Sequence, residues 1–151
     1  LYHRSYGLPT VSLRYFTVFG PRQRPDMAFH RFFKAARDDE PVRVFGDGRQ
    51  TRDFTFVSDI VAATRAAAVS GRAGSVYNVG GGERVELNHV LSLIEEIIGR
   101  PLHIQREEVQ RGDMRDTFAD TTAARRDLGF QSRVGLAEGL AREWDWLRGR
   151  R

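Results

Sequence analysis

The side chains able to do chemistry in this 151-residue chain are mostly guanidinium groups. All but one of its 24 Lys and Arg residues are arginine, Lys34 being the exception, and the formal net charge is +4. Guanidinium pairs bidentately with phosphate and carboxylate oxygens, so anion binding is what this set offers. The arginines are scattered among acids, which fits a solvated arginine-biased surface. A nucleic-acid face is the competing reading, and it rests on charge alone. Other chemistries lack their groups. The absence of cysteine removes thiolate nucleophiles, disulfides and Cys-ligated zinc. His3, His30, His89 and His103 show no metal-ligand spacing, so no metal is expected. Gly80-Gly81-Gly82 follows an apolar run, yet no G-x-G-x-x-G dinucleotide fingerprint occurs in the chain.

These groups need elements to hold them. The length suits one globular domain, and no apolar run approaches the ~18 residues of a membrane span. Residues 1–6, followed by Gly7 and Pro9, read as the last turn of a helix, so the chain is expected to begin mid-domain. Residues 10–19 read as one β-branched and aromatic strand, apolar enough to be covered on both faces of a parallel sheet. A helix over 27–37 follows, with Met27, Phe29, Phe32, Phe33 and Ala36 on its apolar side. A strand over 42–45 is closed by a Gly46-Asp47-Gly48 turn. Residues 54–57 are extended, and Ser58 or Asp59 is expected to cap a helix over 60–69. A buried strand over 75–79 precedes the clearest helix, in which Leu87, Val90, Leu91, Ile94, Ile97 and Ile98 follow helical spacing. A strand over 102–106 and a short helix from Thr121 or Thr122 come next. The last helix carries Leu136, Leu140, Trp144 and Leu147 on one side. This alternation gives an α/β or mixed α+β class.

Four segments then stand in order. They are Leu13-Arg14-Tyr15-Phe16-Thr17-Val18-Phe19-Gly20-Pro21, and Phe45-Gly46-Asp47-Gly48 with Thr51-Arg52-Asp53-Phe54-Thr55-Phe56-Val57. Tyr77-Asn78-Val79-Gly80-Gly81-Gly82 is the third, and Gly112-Asp113 with Phe118-Ala119-Asp120 the last. Together they resemble the carboxy-terminal half of the NAD-dependent sugar-nucleotide epimerases and dehydratases, the extended short-chain dehydrogenases. The wording is most similar to UDP-glucose and UDP-glucuronate 4-epimerases.

The resemblance implies an NAD-dependent nucleotide-sugar 4-epimerase. A dehydratase or decarboxylase of the same family and a non-catalytic nucleotide-sugar-binding module are its alternatives. It implies, over 1–151, the C-terminal part of a Rossmann-type parallel sheet plus a small mixed α/β substrate-binding lobe. For the whole protein it implies a cytoplasmic homodimer with no membrane or nucleic-acid partner. The family's glycine-rich NAD turn and Tyr-x-x-x-Lys pair do not occur here, since the lone Lys34 stands four after His30. The expected piece is the half that grips substrate, with no catalytic residue and no turnover alone. It is also expected to associate, aggregate or be partly disordered when isolated, because the first strand exposes an unpaired apolar edge.

By the same resemblance, Tyr15 and Phe16 wall the pocket beside NAD. Thr17 meets the substrate where many relatives carry Asn, with a shorter hydroxyl replacing an amide. Arg52 grips the substrate diphosphate with its planar fork. The plainer alternative is a surface arginine paired to Asp53 or Asp59. Val44 and Phe45 lie beside the nucleotide base and Phe29 above the substrate, each with core packing as the alternative. Arg111 and Asp113 come from a loop that holds phosphate and ribose, with Gln110 standing where the family's arginine falls.

Overall fold

In a computed structural model of the protein, residues 1–109, 112 and 114–149 are described. Helix α1 (Tyr2–Tyr6) stops at Gly7, whose φ of 69° suits a residue without Cβ. The expected strand over 10–19 is two strands, β1 (Ser12–Tyr15) and β2 (Val18–Phe19), in different sheets. The break has a cause in the backbone pairing. The Phe16 amide still donates to Val79 O at 3.0 Å, whereas Thr17 O accepts from the Thr55 amide at 2.9 Å. The chain thus changes partner between Phe16 and Thr17. Nor is β1 covered on both faces, since Ser12, Arg14 and Tyr15 are exposed.

Helix α2 (Ala28–Asp38) buries Phe29, Phe32, Phe33 and Ala36, and Met27 lies just outside it. Strand β3 (Val42–Phe45) and short strands β4 (Thr51–Arg52) and β5 (Thr55–Phe56) lead into α3 (Val57–Ser70). That helix starts three residues before the expected position, so Ser58 and Asp59 lie inside its first turn and neither caps it. Strands β6 (Val76–Val79) and β7 (Val85–Glu86) precede α4 (Leu87–Ile98), which ends on Gly99 at φ 74°. Strand β8 (Ile104–Glu107), α5 (Thr122–Leu128) and α6 (Leu136–Arg148) complete the chain.

Three strand pairs are parallel, β1 with β6, β2 with β5 and β3 with β8, while β4 and β7 are antiparallel. The fold is α/β. Two cores result. The larger joins α2, α4, α6 and β3 through Phe19, Phe33, Val44, Ile94 and Leu140. The smaller lies under α3 and α5 around Ala63, Tyr77, Val79 and Ala124. No helix is long and apolar enough to cross a membrane among the described residues.

Candidate functional site

The partner change at Phe16–Thr17 opens a cleft of about 650 Å³. Tyr15, Phe16 and Thr17 line it, followed by Gly20, Arg22 and Arg24 from the next turn. Its wall is fixed from behind. The Thr64 hydroxyl donates to Ile60 O at 2.7 Å, so its single proton is used. Tyr15 Oη, 2.8 Å from Thr64 Oγ1, is then the donor in that pair. Gln23 ties the floor to α2. Its Nε2 donates to Val18 O at 3.0 Å, and its Oε1 accepts the His30 amide at 2.9 Å. Arg24 faces solvent and pairs with Asp26 at 3.1 Å. A cleft of about 580 Å³ lies beyond Gln23, and Lys34 and Arg37 on its rim are bound to Asp38.

Arg52 stands elsewhere, on the antiparallel β4–β7 pair opposite Val85. Its Nη1 donates to Thr51 O at 2.9 Å and to Arg115 O at 3.1 Å, which holds the half-buried guanidinium against the backbone. The anticipated alternative partners are engaged otherwise. Asp53, fully buried, accepts the Gly81 amide at 2.5 Å, the Gly82 amide at 3.3 Å and the Ala119 amide at 3.0 Å. Asp59 accepts the Arg133 and Val134 amides at 2.9 and 3.1 Å and the Ser132 hydroxyl at 3.3 Å, so it anchors a distant loop.

The sequence-derived site residues thus fall into separate groups. Tyr15, Phe16 and Thr17 share the cleft. Phe29 and Val44 are core residues, each 1% exposed, and Phe29 packs edge-on to Phe19 with ring centres 5.4 Å apart. Phe45 is half-buried at the end of β3, where its carbonyl accepts from Gln50 Nε2. Arg111 and Asp113 lie outside the described residues, as does Gln110. Two residues were not anticipated. Asp53 enters the sequence reading only as a partner for Arg52, although a carboxylate directly before the Phe54-Thr55-Phe56 run is a signal for a buried acceptor. Glu143 on α6 is fully buried and accepts the Gly20 amide at 2.8 Å. Its signal is spacing, since 143 falls between Leu140 and Leu147 on the apolar stripe.

A dinucleotide needs free backbone amides for its pyrophosphate. Gly80-Gly81-Gly82 follows β6, and Asp53 already takes the Gly81 and Gly82 amides. These residues therefore do not fit a pyrophosphate cradle. Among the described residues there is also no group of three or more His, Asp or Glu able to hold a metal ion.

Comparison with known proteins extends the geometry. The profile of the NAD dependent epimerase/dehydratase family matches residues 1–80. An uncharacterised UDP-glucose epimerase of Bacillus subtilis, YtcB, is 43% identical over 150 residues, covering 97% of this chain and 47% of that protein. The UDP-glucuronate 4-epimerase of Thermodesulfobacterium geofontis is 36% identical, covering 96% and 45%. A crystal structure of UDP-glucuronic acid 4-epimerase from Bacillus cereus, with UDP-glucuronic acid and NAD, superposes with a TM-score of 0.95 at 41% identity. That superposition covers 98% of this chain and 48% of the other. The chain spans about half the length of the relatives it matches.

Proposed function

The chain belongs to the NAD-dependent epimerase/dehydratase family, and from that premise we propose that it is the substrate-gripping half of a UDP-sugar 4-epimerase. The observation that carries this reading is the Thr17–Thr55 backbone bond. It makes the segment that starts at Arg52 the continuation of the cleft wall. Asp53 and Phe54 alone separate Arg52 from Thr55, so three residue steps, at most roughly 10 Å of chain, join the two. A sugar joined to a nucleoside diphosphate asks for this division, a pocket for the ring and a fixed cation some way off for the phosphates. In this reading Thr17 donates to or accepts from a sugar hydroxyl, Tyr15 and Phe16 close the side facing the cofactor, and Arg52 takes the diphosphate. Arg111 and Asp113 add contacts to phosphate and ribose, Val44 and Phe45 back the base, and Phe29 supports the wall through Phe19.

NAD supplies the hydride acceptor of such a reaction. Its pyrophosphate grip and the base that removes the hydroxyl proton come from outside these residues. The chain's own work is binding and orientation, in which contacts remote from the reacting carbon align it. Arg22 also lines the cleft, whereas Arg24 is held by Asp26. A guanidinium on this wall favours a sugar with a carboxylate over a neutral hexose, so UDP-glucuronate is the preferred substrate among UDP-sugars. The test is incubation of the full-length protein with NAD and either UDP-glucuronate or UDP-glucose, with products followed by NMR at C4. Inverted C4 stereochemistry is expected, faster for the uronate. Loss of water or of CO₂ would move the protein to another reaction of the family. Failure to bind any UDP-sugar would remove the reading.

A further inference from the structure

One buried acid next to the cleft is used by none of the roles above. Glu143 sits on α6, fully buried, where its Oε2 accepts the Gly20 amide at 2.8 Å. Its Oε1 is also buried and has no hydrogen-bond partner. A lone carboxyl buried in this way is costly, and Leu or Met at the same place would pack without that cost. The carboxyl therefore needs a reason beyond packing. Its partner supplies one. Gly20 immediately follows β2, lines the cleft, and holds φ at +126°, a region closed to residues with a Cβ. A Cβ there would also stand 2.8 Å from the Phe56 ring and 2.9 Å from Val57 Cγ1. The turn is thus squeezed against β5 and α3 from one side, and α6 meets it from the other. Gly139, one helical turn before Glu143, allows this approach, since a Cβ on it would meet the Phe19 ring at 2.5 Å.

We propose that Glu143 is a positioning residue for substrate binding, holding the Thr17–Gly20 wall of the cleft in place by accepting the Gly20 amide from α6. The inference rests on the UDP-sugar reading of that cleft, and it adds a residue that touches no ligand. Without the acceptor, the Gly20 amide has no partner in its buried setting and the turn relaxes toward one. Thr17 and Phe19 move with it, because both are within three residues of Gly20. The result is weaker substrate binding with chemistry little altered.

The experiment compares Glu143→Gln with Glu143→Leu and Glu143→Asp in the full-length protein. Glutamine keeps an acceptor oxygen at the same reach. Leucine removes it, and aspartate draws it back by one methylene while keeping the acid. Expected is a rise in KM for the UDP-sugar of about tenfold in Leu and Asp, with kcat within about twofold and NAD affinity unchanged. The Gln variant stays within about threefold of the wild-type KM. In parallel, hydrogen exchange of the Gly20 amide speeds by at least about tenfold in Leu and Asp and not in Gln. Should Leu misfold, the Asp variant carries the comparison. An unchanged KM in folded Leu or Asp protein, or a KM as high in Gln as in Leu, overturns the proposal. If the wild-type protein binds no UDP-sugar, the cleft reading falls, and with it the link to substrate. Gly20 exchange then still decides whether Glu143 holds the wall.

Discussion

The strand junction around Asp53 and the helix face around Glu143 each bury a carboxyl group completely, and they satisfy it to different degrees. Asp53 collects three backbone amides from two separate segments, at Gly81, Gly82 and Ala119. Glu143 has one, from Gly20, and an oxygen with nothing to accept. The lesson is that burial alone does not tell what an acid does. A carboxylate with several amides knits loops together and belongs to the fold. One left half-satisfied is a burden that its neighbourhood must justify, and here the neighbourhood is a cleft wall.

The contrast breaks most visibly at Asp53. Replacing it with Asn leaves an NH₂ facing amides that need an acceptor, because Gly81 and Gly82 share Oδ1 while Ala119 uses Oδ2. Whichever way the amide turns, one side opposes donor to donor. We expect Asp53→Asn to destabilise the protein by roughly 3–5 kcal/mol in urea unfolding. A loss under about 1 kcal/mol would mean that the three amides find water or other acceptors, and the junction would not depend on this residue.

At Glu143 the expected effect depends on pH, with an opposite sign. Burial raises its carboxyl from 4.5 to about 7, the Gly20 amide opposing the shift. The folded protein then holds this proton more tightly than the unfolded chain does. The group's stabilising contribution is full below pH 4.5 and is lost as the pH rises through about 7. A shift of that size corresponds to roughly 3 kcal/mol. Glutamine cannot ionise, so Glu143→Gln gains on the wild type by up to that amount between pH 5 and pH 8. Parallel stability curves for the two proteins across this range would show that the acid does not titrate in the fold.

A matched pair of glycine substitutions sharpens the comparison further. A Cβ on Gly81 would stand 2.0 Å from the Phe54 carbonyl oxygen, a backbone atom beside Asp53. On Gly139 it would meet the edge of the Phe19 ring at 2.5 Å, and alanine also favours the helix by ~1 kcal/mol. Gly81→Ala is expected to cost about 3 kcal/mol and Gly139→Ala about 1, both by denaturant titration. The reverse order would place the tighter packing at α6.

These two regions also differ in how well the sequence announced them. Helical spacing located α2, α4 and α6 almost to the residue, because Phe29, Phe33, Val90, Ile94 and Leu140 all face one core. The glycine past its end marked α1, where Gly7 has positive φ. The strand over 10–19 was legible in composition but not in its break. Nothing local to Phe16 or Thr17 signals that the backbone exchanges Val79 for Thr55 as its partner. Strands β4 and β7 have only two residues each, too few for a period to show. In the site, Tyr15, Phe16 and Thr17 were legible as a run, and the structure sets them on one cleft. The acids were misread because their partners lie far along the chain. Asp59 takes its amides from Arg133 and Val134, whereas the nearby sequence offers it a helix cap or a pairing with Arg52.

Arg52 gives the smallest change in stability and the clearest separation of fold from ligand. It is the immediate neighbour of Asp53 in sequence, yet its guanidinium rests on carbonyl oxygens at the surface of the β4–β7 pair. Half-exposed bonds of this kind contribute about 1 kcal/mol or less, since water replaces the donor when the side chain is cut back. Arg52→Ala is therefore expected to leave the unfolding midpoint nearly where it was. On the proposed reading its effect falls on the diphosphate, and losing that charge-assisted pair is expected to weaken UDP-sugar binding by at least about tenfold. NAD affinity of the full-length protein should hardly move. Calorimetric titration of both ligands separates the outcomes. Equal losses for UDP-sugar and NAD would make Arg52 a strut of the junction like Asp53, and the division between the two adjacent residues would disappear.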